Sequence, residues 1–201
     1  MRRTVRQVNS KPVPSSVRSA LVSLYGAVAA VTRKDWPALR LMVSDVTEAL
    51  DGVEDVLIVI SLASLECLWD GWGFADPSPA DTNPENSGVA ARELLAIAGN
   101  LELSTPELIN SAAWRLEAVR NGDRMRAAAD IVQSKRLGSE PELVDGAIAL
   151  LTAIVIRHAR RSGRSPQRFA GDICLAVSMA ASEPPRAAME PNLEHIPPRA
   201  A

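Results

Sequence analysis

The chain has 201 residues, of which 47% are hydrophobic, 23% charged and only 3% aromatic. Its 22 basic and 24 acidic side chains leave a formal net charge of −2, which argues against a globally basic nucleic-acid binder and against an acidic solvating tail. Two cysteines cannot build a disulfide framework and two histidines cannot supply a histidine-based metal site, so neither cofactor nor metal is expected.

Alanine (31) and leucine (21) far outnumber the seven aromatics, a balance that favours helices packed closely through small side chains. The longest uncharged runs, 19–32, 56–65 and 146–156, fall short of the roughly 18–20 apolar residues of a membrane span. They read as buried helices, and no membrane association is expected. The first run follows a basic lead and contains Ala27-Val28-Ala29, as a secretory leader would. Ser23, Tyr25 and Gly26 interrupt its apolar segment, and Pro12 and Pro14 break the lead, so a cytoplasmic location with reduced Cys67 and Cys174 is expected instead.

In chain order, residues 1–15 are basic and polar and predict a disordered arm. A helix over 16–33 follows. Asp35, ahead of Trp36-Pro37, caps a second helix over 36–50, and Asp51 with Glu54 forms a capping box for a third over 53–71. Residues 75–87, with Pro77, Pro79 and Pro84, predict a flexible linker between an N-terminal three-helix unit (16–74) and a C-terminal five-helix unit (88–181). That second unit comprises helices over 88–100, 105–121, 124–137, 140–163 and 166–181. Ser104 with Glu107 and Ser139 with Glu142 repeat the capping box, Asp123 caps the helix after Gly122, and Ser165 precedes Pro166 at the last start. The proline-rich stretch 182–201 predicts a disordered tail. No segment alternates with a period of two, so the expected class is all-α, about eight helices in an antiparallel helical bundle or a helix-hairpin array.

A pseudo-repeat is also suggested. Arg33-Lys34-Asp35, a helix, a break and the apolar helix ending at Gly71 are matched by Asn121-Gly122-Asp123, a helix, a break and the apolar helix ending at Gly163. On that scheme Val56–Leu65 and Gly146–Ile156 are the two central helices, each apolar nearly all round. The segment from Asn121 to Gly163 resembles uncharacterised all-helical proteins of high-GC actinobacteria or their phages, a likeness in keeping with arginine outnumbering lysine 19 to 3. Its Gly-Asp turn is also similar to tetratricopeptide-type hairpins, but the Trp, Tyr and Pro positions of that repeat are missing. Neither resemblance carries functional residues across.

Three clusters are candidates for function. Asp45, Glu48, Asp51, Glu54 and Asp55 could hold a divalent cation, although caps and first-turn acids account for them without one. Arg157, Arg160, Arg161, Arg164 and Arg168 surround one helix junction and form a candidate anion or nucleic-acid site, against the alternative that they complement a helix C-terminus. Trp69, Trp72 and Phe74 are a candidate partner surface, or else the lid of the core. Trp36 and Trp114 read as packing residues. Charge is segregated along the chain, +7 over residues 1–40, −12 over 41–110 and +3 over 111–201, a pattern that can pair one subunit with another. No nucleophile elbow, phosphate loop or zinc spacing occurs, so no catalytic residue is assigned. The expected function is that of a non-catalytic protein–protein interaction or scaffold protein engaging a protein partner or a second copy. The alternative is a nucleic-acid-binding regulator using the arginine cluster.

Overall fold

The computed structural model describes residues 14–68 and 84–182. Within them lie α1 (Ser15–Arg33), α2 (Trp36–Ala49), α3 (Val53–Leu68), α4 (Pro84–Gly99), α5 (Pro106–Arg120), α6 (Arg124–Ser134), α7 (Glu140–Arg161) and α8 (Pro166–Ser182), and no strand. The fold is the all-α helical bundle expected. Helix starts follow local chemistry where a side chain can reach the exposed N–H groups of a first turn. Asp35 Oδ1 accepts from Ala38 N at 3.2 Å, Asp123 Oδ1 from Arg126 N at 2.9 Å, and Ser165 Oγ from Arg168 N at 3.2 Å. The Ser139–Glu142 capping box closes as expected, the Glu142 carboxylate accepting from the Ser139 backbone N–H.

Two expected boxes do not form. The Gly52 carbonyl accepts the first bond of α3 from Val56 N at 3.1 Å, so Gly52 holds the cap position and Asp51 lies outside the helix. At α5 the cap is Thr105 without a side-chain bond, because Pro106 fixes the first helical position one residue later than the box needs. The expected unstructured segments 1–15, 75–87 and 182–201 fall largely outside the described residues. Where they overlap, at Ser15, 84–87 and Ser182, the backbone is helical: Pro84 opens α4, since a first-turn proline lacks only an N–H that needs no partner there.

The two apolar helices expected at the centre pack against each other. α7 is buried along almost its whole length from Leu143 to Arg157 and touches α1, α3, α4, α5 and α8. α3 contributes Val56, Leu57, Ile60, Ala63 and Cys67 to the same core, which also takes in Leu24, Val28 and Val31 of α1. A smaller cluster, with Ile97, Ile109, Ala149 and Ile156, seals α4 and α5 onto the other side of α7. Residues 27–29 are core residues of α1. No helix among the described residues is long and apolar enough to cross a membrane.

The pseudo-repeat has a geometric counterpart at its corners. After α1, Lys34 (φ 59°) donates to Val31 O at 3.0 Å and Asp35 N to Ala30 O at 2.9 Å. After α5, Gly122 (φ 73°) donates to Val119 O at 3.0 Å and Asp123 N to Ala118 O at 2.9 Å. Each is a left-handed helix stop whose second residue is already the cap of the next helix. Around the α3·α7 pair, α1 and α5 each touch both central helices, α8 packs on α1 and α7, and α4 packs chiefly on α7 and less on α5.

Candidate functional site

The arginine cluster is divided rather than massed. Arg157 continues the buried face of α7 and is only 8% exposed; its Nε donates to Glu93 Oε2 of α4 at 2.8 Å. That hydrogen bond, aided by the nearby charges of Arg157, Arg161 and Arg160, holds the Glu93 carboxyl below its ordinary value. Arg157 therefore fastens α4 to α7 and does not share the exposed face with the other four, as spacing alone had suggested. Arg160, Arg161, Arg164 and Arg168 are exposed. Arg164 lies 5.8 Å over the Phe169 ring and 4.0 Å from Asp172 Oδ2. Gly163, Arg164, Ser165, Arg168 and Asp172 line a shallow depression of about 400 Å³ at the α7–α8 turn, so its charge is mixed.

Asp45, Glu48, Asp51, Glu54 and Asp55 all face solvent around the α2–α3 corner. Among the described residues no three His, Cys, Asp or Glu side chains come together as metal ligands. Cys67 is buried beside the Tyr25 hydroxyl at 3.4 Å, and burial pushes its thiol up to about 11. Trp69, Trp72, Phe74 and His195 lie outside the described residues.

Sequence reasoning misplaced two tryptophans and missed one network. Trp36 and Trp114, expected to pack inside, are 40% and 62% exposed. Trp114 sits on the outer face of α5, where Arg126 of α6 stacks on its ring at 5.9 Å. With Ala129, Asp130 and Gln133 they line an open groove of about 410 Å³ between α5 and α6. Burial on α5 falls on Leu108, Ile109, Ala112, Arg115 and Ala118, and Trp114 points the other way.

Beside that groove, Arg115 has no exposed surface at all. Its Nη1 donates to Ser111 Oγ at 2.7 Å, Asp130 Oδ2 at 3.2 Å and Ser134 Oγ at 3.4 Å. The Ser111 and Ser134 hydroxyls also bond each other. Burial pushes the Arg115 guanidinium below its ordinary value and Asp130 opposes the shift. Its Nε and Nη2 are buried without a hydrogen-bond partner among the described residues. α6 inserts only Ala127 and Ile131 as buried apolar side chains, Ile131 contributing roughly 2–3 kcal/mol, and the Arg115 network lies beside them as the polar contact between α5 and α6. The sequence signal was present: a charged residue four positions after Ser111, on the apolar stripe of α5.

Among the described residues this groove offers no nucleophile–base pair, but it does present a tryptophan with a stacked arginine at its edge, lined further by Ala118, Ala129, Asp130 and Gln133. Tryptophan and arginine are enriched where binding energy concentrates. Neither a protein-family model, nor a curated protein, nor a solved structure matches the chain.

Proposed function

We propose that the chain is a non-catalytic protein–protein interaction or scaffold protein whose contact surface is the outer side of the α5–α6 hairpin. The observation that carries the reading is the exposure of Trp114 (62%), Met125 (82%) and Val132 (60%) on one hairpin. Large apolar side chains held in water at the edges of one groove are surface that a partner gains by covering. Arg126 keeps the Trp114 ring oriented and supplies a polar rim. Retention of proteins on the immobilised chain tests the reading. Partners held by the wild type are expected to be lost from a Trp114→Ala, Met125→Asp variant with an unchanged circular dichroism spectrum. Equal capture by both would overturn it.

The exposure of Arg160, Arg161, Arg164 and Arg168 favours a second reading, a nucleic-acid-binding regulator that grips phosphate through the α7–α8 turn. Fluorescence anisotropy of duplex DNA at low salt tests it; no binding there, where phosphate contacts are strongest, would remove it.

A further inference from the structure

Among the described residues nothing packs on the outer face of α6, and the same chain carries a surface of complementary charge. Ala127, Ile131 and Ser134 of α6 point inward, leaving Met125, Ala129 and Val132 in line at i, i+4 and i+7 on the far side. Trp114 lies across the groove on α5, and Trp114, Met125 and Val132 are each more than half exposed. Arg124 and Arg136 flank it, both exposed and without an ion pair among the described residues. The surface is therefore apolar in the middle and basic at both ends.

The α2–α3 corner has the opposite character. Leu41 is 59% exposed, Asp45 and Glu48 follow it on the same face of α2, and Asp51, Glu54 and Asp55 continue around the turn. The C-terminal end of α6 lies near that corner, because α6 touches α3 and the Glu54 carboxylate, after Glu140, helps to raise the Lys135 ammonium. Two complementary patches carried by one chain can meet reciprocally under a two-fold axis, the strip of each copy on the corner of the other, which closes the assembly at two copies. Stacking α6 on α6 would instead oppose arginine to arginine.

We infer that the chain forms a two-fold dimer in which the α6 strip of each copy docks on Leu41 and the acidic α2–α3 corner of the other, an inference that rests on the interaction reading above. The contact is rimmed by exposed charges and weakens as salt rises.

Sedimentation of the full chain at low and high salt tests it, with three variants at exposed positions. Val132→Asp is expected to abolish the dimer at concentrations where the wild type is dimeric. Arg124→Glu/Arg136→Glu and Glu48→Lys/Asp51→Lys are each expected to weaken it by about tenfold or more, since each sets like charges together. An equimolar mixture of those two chains should associate again as a heterodimer, because each acidic α6 then meets a basic corner and each acidic corner a basic α6. A wild type that sediments as a monomer at every salt overturns the dimer, and so do charge reversals without effect or a mixture that does not associate. If the chain is monomeric yet still retains other proteins through Trp114 and Met125, the dimer fails and the interaction reading stands; if retention also fails, both do.

Discussion

Arg115 Nη1 and Asp130 Oδ2 meet at 3.2 Å, joining a side chain with no exposure to one that is 26% exposed, and this asymmetry decides how the pair responds to change. Removing Asp130 strands a buried cation, whereas removing Arg115 leaves a carboxylate that water can reach. Asp130→Ala is expected to destabilise the fold by about 3–5 kcal/mol, and Arg115→Met by no more than about 1 kcal/mol, with stabilisation an acceptable outcome. Urea unfolding of both variants checks this, and equal losses would show that the pair is not a buried ion pair in the energetic sense. Because the stranded Arg115 guanidinium lies against α6, Asp130→Ala should also expose the α6 backbone to hydrogen exchange before the rest of the bundle.

Gly146 marks a close approach of α7 to α5. A Cβ there would lie 3.0 Å from both the carbonyl carbon and the oxygen of Leu108, and a backbone cannot yield as a side-chain tip can. Helix propensity favours alanine over glycine by about 1 kcal/mol, but separating α5 from α7 costs more. Gly146→Ala is expected to destabilise by about 1–3 kcal/mol in denaturant titration. A gain in stability would mean that α5 shifts freely, contrary to its packing against both central helices.

The matched corners make a paired prediction. Lys34 holds the left-handed position (φ 59°) that Gly122 holds in the second half (φ 73°), and only glycine adopts it without a Cβ penalty. Lys34→Gly should raise stability by up to about 1 kcal/mol, and Gly122→Lys should lower it by a similar amount. Thermal unfolding of the two variants should move in opposite directions; a loss for Lys34→Gly would show that unfolded-chain entropy outweighs the strain.

Asp145 gives the stability of α7 a pH dependence. Burial, and to a lesser degree the nearby Glu142 charge, raise its carboxyl above the ordinary value of 3.8. The folded state therefore holds this proton more tightly than the unfolded state does. Stability contributed by the protonated group is lost as pH rises through the folded value, and ionised Asp145 is a liability at neutral pH. Asp145→Asn should unfold at a higher temperature than the wild type at pH 7, with the gap closing in acid once the wild-type carboxyl is protonated. A gap that is constant with pH would assign the effect to packing.

Much of this molecule is written in local chemistry. Asp35, Asp123, Ser139-Glu142 and Ser165-Pro166 announce their helix starts because a cap is a contact over three residues, and the apolar runs around Leu57 and Leu151 announce the centre because no solvated helix has such a circumference. The likeness of the Lys34-Asp35 and Gly122-Asp123 corners was likewise legible as a pattern. What spacing could not supply is direction. Arg157 and Arg160 look equivalent in a basic run, yet one pairs with Glu93, 64 positions earlier in the chain, and the other meets water. Trp114 looks like a core residue until neighbouring Arg115 is found occupying the core side of α5, its charge met by Asp130 from a different helix. Which face of a helix is buried follows from the elements packed against it, and those contacts join residues that the chain itself keeps far apart.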